Sequence, residues 1–128
     1  MGGFIKIDAE RVETTALNTK INKEMFDKFK VCAKTLGYPM NVLLETFMMQ
    51  YANERFDIDS EDILKWKNKD EGEVDTLNTT FNKEIYLAFK SRCKENKFFI
   101  KHVILAFMEK YASGDYIMEF VKIEEENE

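Results

Sequence analysis

The chain states one 40-residue pattern twice. Residues 17–56 align with 77–116 at a constant offset of 60, without a gap, and 13 of the 40 positions are identical. "LNTKINKEMFDKFK" from Leu17 returns as "LNTTFNKEIYLAFK" from Leu77. Many other positions exchange one apolar residue for another, such as Ile21/Phe81, Met40/Ile100 and Leu44/Ile104. An ungapped match that keeps its apolar positions means that one supersecondary unit occurs twice. Two copies are too few for a solenoid, and each alone is below the size at which a core usually sustains itself. The pattern therefore predicts two units folding against each other as one domain.

Each copy opens with alternation. Leu17, Thr19 and Ile21 fall on one face and Ala16, Asn18 and Lys20 on the other. Leu77, Thr79 and Phe81 oppose Thr76, Asn78 and Thr80 in the same way. Period-two alternation reads as a half-buried strand. Asn22 and Asn82 then stand where a helix N-cap is wanted, with Glu24 and Glu84 in the favourable first turn.

Helical spacing follows. Met25, Phe26, Phe29, Cys32, Ala33 and Leu36 make one apolar stripe, and Ile85, Tyr86, Phe89 and Cys93 its counterpart. Gly37 ends the first helix; Lys97 stands at the matching place, which predicts a turn closed differently. A second helix begins near Pro39, with an apolar face of Met40, Leu43, Leu44, Phe47, Met48 and Tyr51, repeated at Ile100, Val103, Ile104, Phe107, Met108 and Tyr111. The unit is strand, helix, short turn, helix. A lone short strand needs a partner for its backbone groups. Pairing the two strands antiparallel, with four helices beneath, is the simplest solution.

Charge separates the repeats from their surroundings. The net charge is −5, yet residues 17–56 carry six Lys/Arg against four Asp/Glu, and 77–116 carry seven against four. Residues 57–76 carry three against eight, and 117–128 one against five. The repeats are mildly basic, which matters more than the total for steering toward a polyanion. Trp66 in "DSEDILKWKNK" is expected to anchor the inter-repeat segment, with one short helix capped by Asp59 or Ser60. The closing "EEENE" reads as a solvated tail. No segment resembles a signal peptide or membrane span, so a cytoplasmic protein without membrane association is expected. Cys32 and Cys93 are not equivalent in the repeat and read as reduced core residues. There is no nucleophile–histidine constellation, glycine-rich phosphate loop or metal cluster in the sequence, so neither catalysis nor a cofactor is expected. His102, the single histidine, reads as a surface or turn residue.

The order strand–helix–helix, with a polar outward strand face and a short turn before the second helix, resembles the ribbon-helix-helix (Arc/MetJ-like) DNA-binding family. The doubling is similar to the tandem ribbon-helix-helix accessory proteins of conjugative-plasmid relaxosomes. The resemblance implies a mainly α fold with a two-stranded antiparallel β-ribbon, in which two fused units form an intramolecular pseudo-dimer. Its boundaries are an extension at 1–15, a first unit at 16–54, an acidic linker at 55–75, a second unit at 76–113 and an acidic tail at 114–128. It further implies that the ribbon enters the major groove of double-stranded DNA, with Ala16, Asn18, Lys20, Thr76, Asn78 and Thr80 reading bases. Asparagine can pair with adenine, lysine can donate to guanine, and threonine can serve a hydrogen bond or a thymine methyl. Phosphate would be held at the N-terminus of each second helix, at Met40 and Asn41 and at Ile100, Lys101 and His102. Repression or plasmid or phage DNA maintenance, with side-by-side self-association on DNA, follows from the resemblance. The alternative is a protein-binding module, an antitoxin or phage-encoded inhibitor, that uses its acidic linker or tail.

Overall fold

The computed structural model describes residues 13–69 and 72–115. Of the expected extension at 1–15 and tail at 114–128, residues 1–12 and 116–128 lie outside the described residues. Strand β1 (Thr14–Asn22) leads directly into helix α1 (Lys23–Leu36), followed by α2 (Met40–Ala52) and α3 (Ser60–Asn68). Strand β2 (Val74–Asn82) then leads into α4 (Lys83–Glu95) and α5 (Ile100–Ala112). The protein is mainly helical with one two-stranded antiparallel sheet, β1 against β2. Both strands run longer than the alternation alone indicated. Backbone bonds prolong the ladder at each end: Lys23 N–H donates to Glu73 O and Lys83 N–H to Glu13 O, both at 2.9 Å.

The strand-to-helix junction is capped as expected. Asn22 Oδ1 accepts from Met25 N–H at 2.8 Å, and Asn82 Oδ1 from Ile85 N–H at 3.0 Å. Each cap satisfies one of the amides that a helix start leaves without a partner. A second bond braces β2 from outside its own half: Asn82 N–H donates to Glu45 Oε1 of α2 at 2.7 Å.

Below the ribbon lies one core. Leu17, Ile21, Leu77 and Phe81 are buried from above, while Thr19 and Thr79 are only half-buried. Among the helices, the most extensive contacts run between α2 and α4 and between α1 and α5. The first half therefore packs chiefly on the second, not on itself. At the centre the rings of Phe47 and Phe107 stack at 4.2 Å with 10° between planes. Around this pair the edge contacts repeat at the 60-residue offset. Phe29 meets Phe107 at 5.9 Å and Phe89 meets Phe47 at 5.7 Å. Phe29 meets Tyr111 at 5.7 Å and Phe89 meets Tyr51 at 5.6 Å. Edge-to-face geometry of this kind adds to the stability that area burial supplies.

Three expectations need correction. The turn after α4 closes with the same geometry as the turn after α1, not differently. Gly37 has φ 82° and Lys97 has φ 65°. Tyr38 N–H bonds Ala33 O at 3.0 Å, and Phe98 N–H bonds Cys93 O at 2.9 Å. The two hydrogen bonds of the turn are the same in both halves, so the backbone pattern outweighs the lysine's preference. The roles reverse after the second helices, where Glu54 has φ 60° and its counterpart Gly114 has φ 87°. Next, Leu36 does not join the core stripe; it is 55% exposed. Lastly, His102 is not on the surface. It is buried, with its ring 5.5 Å from Phe99.

Helix α3 has no counterpart after the second repeat among the described residues. It is capped by Asp59, packs on α5, and buries Ile63 and Trp66. Trp66 Nε1–H donates to Glu109 Oε1 at 3.2 Å and Lys65 pairs with Glu109 Oε2 at 3.0 Å. Lys110 pairs with Asp62 at 3.4 Å across the same seam. On α5, His102, Leu105 and Ala106 are buried, whereas the α2 counterpart of His102, Val42, is 39% exposed.

Candidate nucleic-acid interface

The outward ribbon face is built by alternation. Ala16, Asn18 and Lys20 of β1 and Thr76, Asn78 and Thr80 of β2 are all exposed, while their neighbours in sequence point into the core or its margin. The register sets Ala16 opposite Thr80, Asn18 opposite Asn78 and Lys20 opposite Thr76. Asn18 thus faces its own counterpart in the repeat, and the ribbon is centred on that pair. The two ends differ: one carries lysine beside threonine, the other alanine beside threonine. All six expected base-reading positions therefore come together on one surface.

Two helix starts flank the ribbon. Pro39 precedes α2 and Phe99 precedes α5, and neither gives a side-chain cap bond. Helix ends without a side-chain cap retain the amide and dipole character that favours an anion. At these ends Asn41 is exposed, Met40, Ile100 and Lys101 are half-buried, and His102 is buried. The side chain of His102 is thus turned into the protein, while Asn41 and the partly exposed Lys101 remain at the surface.

The end of α4 adds residues that sequence reasoning missed. Lys90, Lys94, Lys97 and Lys101 line a groove of about 800 Å³ with Phe98 and Phe99, beside Thr19 of β1. Lys90 and Lys94 share a helical spacing on α4, but Lys97 and Lys101 lie beyond its end, so the sequence pattern does not join the four. In the first half the matching positions are Lys30, Lys34, Gly37 and Asn41. Lys30 there lies 3.4 Å from Asp27, 3.9 Å from Asp75 and 4.3 Å above the Phe26 ring. Positive charge beside the ribbon is accordingly concentrated on the second half.

The remaining titratable groups serve the scaffold. Burial pushes the Cys93 thiol up to about 12, so it stays protonated and unreactive near neutral pH. Burial likewise raises Tyr51 and Tyr111. The Lys23 hydrogen bond holds the Asp27 carboxyl below its usual range, at an exposed site. Cys32 and Cys93 are free thiols. Among the described residues no group of three or more His, Cys, Asp or Glu side chains is placed to hold a metal ion, and no helix is long and apolar enough to cross a membrane. No family model matches this chain, and neither a curated protein nor a solved structure matches it.

Proposed function

We propose that the chain is a sequence-specific double-stranded DNA-binding protein that inserts its β-ribbon into the major groove. In this reading its two halves act as one intramolecular ribbon-helix-helix pseudo-dimer. The observation that carries the proposal is the exposed polar row on the ribbon, centred on the facing pair Asn18 and Asn78. A two-stranded ribbon fits the major groove, and asparagine, lysine and threonine are donors and acceptors suited to base edges there. The α2 and α5 starts, one on each half, and the lysines of the second half supply the sequence-independent grip on phosphate. Repression or DNA maintenance, with neighbouring molecules side by side on one site, is the role proposed for such a reading head. No reacting group is assigned and no cofactor is required.

Selection from a random duplex pool, followed by salt-titrated binding, tests the reading. A selected site and a steep fall of affinity with salt are the expected results, because phosphate contacts release counterions. Binding that is absent, or insensitive to salt, sinks the proposal and favours the protein-binding alternative. For that alternative the acidic linker or tail is the surface to examine.

A further inference from the structure

The groove between the end of α4 and the start of α5 combines two properties rarely left open together. Its walls carry the apolar Phe98 and the 67% exposed Phe99. Its rim carries Lys90, Lys94 and Lys97, none of which makes an ion pair among the described residues, together with Lys101. An occupant complementary to it is both apolar and strongly acidic. The chain itself contains such a segment. Residues 116–128 read "YIMEFVKIEEENE", with Phe120, Val121 and Ile123 followed at once by Glu124, Glu125, Glu126 and Glu128.

We propose that this acidic segment docks in the lysine-rimmed groove, with Ile123 against Phe98 and Phe99 and its glutamates among the lysines. The inference rests on the DNA-binding reading only for its consequence: a docked segment shields the cations beside the ribbon and weakens binding to duplex. Length permits the return. Helix α5 has 13 residues and spans about 20 Å. Eight extended residues beyond Asp115 reach about 27 Å, so Ile123 and the glutamates after it can arrive at the far end of that helix, whereas Phe120, five residues out, reaches only about 17 Å. Tethering raises the segment's effective concentration into the mM range, so even weak affinity holds it. Apolar contact adds what exposed ion pairs alone do not supply.

The test uses the full chain. One variant replaces Glu124, Glu125, Glu126 and Glu128 with glutamine; a second is Ile123→Ser, which leaves the net charge unchanged. Amide signals of residues 97–101 are followed by NMR without DNA, and random-duplex affinity is measured at low salt. Both variants are expected to shift the groove signals, and 0.5 M salt to shift them in the unaltered chain. Duplex affinity is expected to rise roughly tenfold in both, the occlusion produced by a tethered segment of about 0.1 mM intrinsic affinity. Groove signals unchanged by either variant overturn the docking. Shifts that grow with protein concentration also overturn it, in favour of a segment supplied by a second copy. A gain in affinity limited to the glutamine variant overturns it as well, since charge alone then accounts for the effect. Failure of duplex binding in every chain, with the groove shifts intact, refutes the DNA reading and leaves the docking standing.

Discussion

Tyr51 and Tyr111 occupy equivalent positions, are 1% and 3% exposed, and make matching edge contacts with Phe89 and Phe29. Their hydroxyls have different fates. The Tyr51 hydroxyl oxygen accepts from Asn96 Nδ2–H at 2.9 Å, whereas the buried Tyr111 hydroxyl has no hydrogen-bond partner among the described residues. The counterpart of Asn96 in the repeat is Leu36, which cannot donate. Removing the two hydroxyls should therefore have opposite effects. Tyr51→Phe loses a net hydrogen bond and should cost about 0.5–1.5 kcal/mol. Tyr111→Phe relieves a desolvated, unsatisfied hydroxyl and should be neutral or stabilising by about 1 kcal/mol. Leu36→Asn should recover up to about 1 kcal/mol when Tyr111 keeps its hydroxyl, and should lose that gain beside Tyr111→Phe. The assay is urea unfolding followed by circular dichroism. At a slope of about 2 kcal/mol per molar, the two tyrosine variants should differ in midpoint by roughly 0.5–1 M. Equal losses at both tyrosines, or no coupling between Leu36→Asn and Tyr111, would show that the two environments are alike and refute the reasoning.

The left-handed positions make a reciprocal set. Lys97→Gly and Glu54→Gly should each raise stability by about 0.5–1 kcal/mol, while Gly37→Ala and Gly114→Ala should each lower it by about 1 kcal/mol, read as shifts in urea midpoint. Phe29→Ala and Phe89→Ala remove fully buried rings and should each cost about 3–5 kcal/mol; a loss below about 1 kcal/mol at both contradicts a shared core. A thiol raised by burial ionises more readily in the unfolded chain, so Cys93 should contribute stability that is present below pH 9 and lost as pH climbs toward about 12. The slope should approach about 1.4 kcal/mol per pH unit, and an alkaline unfolding titration of Cys93→Ala should be flatter. On DNA, Asn18→Ala and Asn78→Ala should each lose about 1–3 kcal/mol of discrimination at one base pair, whereas Lys101→Ala should weaken binding to all sequences. Because Lys20 and Thr80 differ, the selected site should be an imperfect rather than a perfect inverted repeat.

Much of the architecture was legible because the same signals occur twice. Alternation from Leu17 and from Leu77 gave both strands, and one ribbon gives each of them a partner. Asparagine caps, the aromatic stripe and the six outward ribbon residues followed from spacing alone. What escaped the sequence is set by contacts between distant segments. The left-handed turn at Lys97 is imposed by two hydrogen bonds closing onto α4, and lysine gives no local sign of it. His102 reads as polar and exposed, and its burial beside Phe99 is set by packing that the local pattern does not contain. The lysine-rimmed groove crosses from one helix to the next, so no single helical pattern contains it.

The interleaving of the halves bears on how the protein is made. During synthesis β1 emerges without β2, α1 without α5 and α2 without α4. A nascent chain that has reached residue 69 has made three helices and a strand whose chief packing partners do not yet exist. At about 5–20 residues per second, the 43 residues to the end of α5 take roughly 2–9 s. For that time Phe29, Phe47 and Tyr51 lack the second-half rings of Phe89, Phe107 and Tyr111 that pack on them, and the edges of β1 are open to other chains. Slowing translation between residues 69 and 112 should therefore raise aggregation more than slowing it earlier.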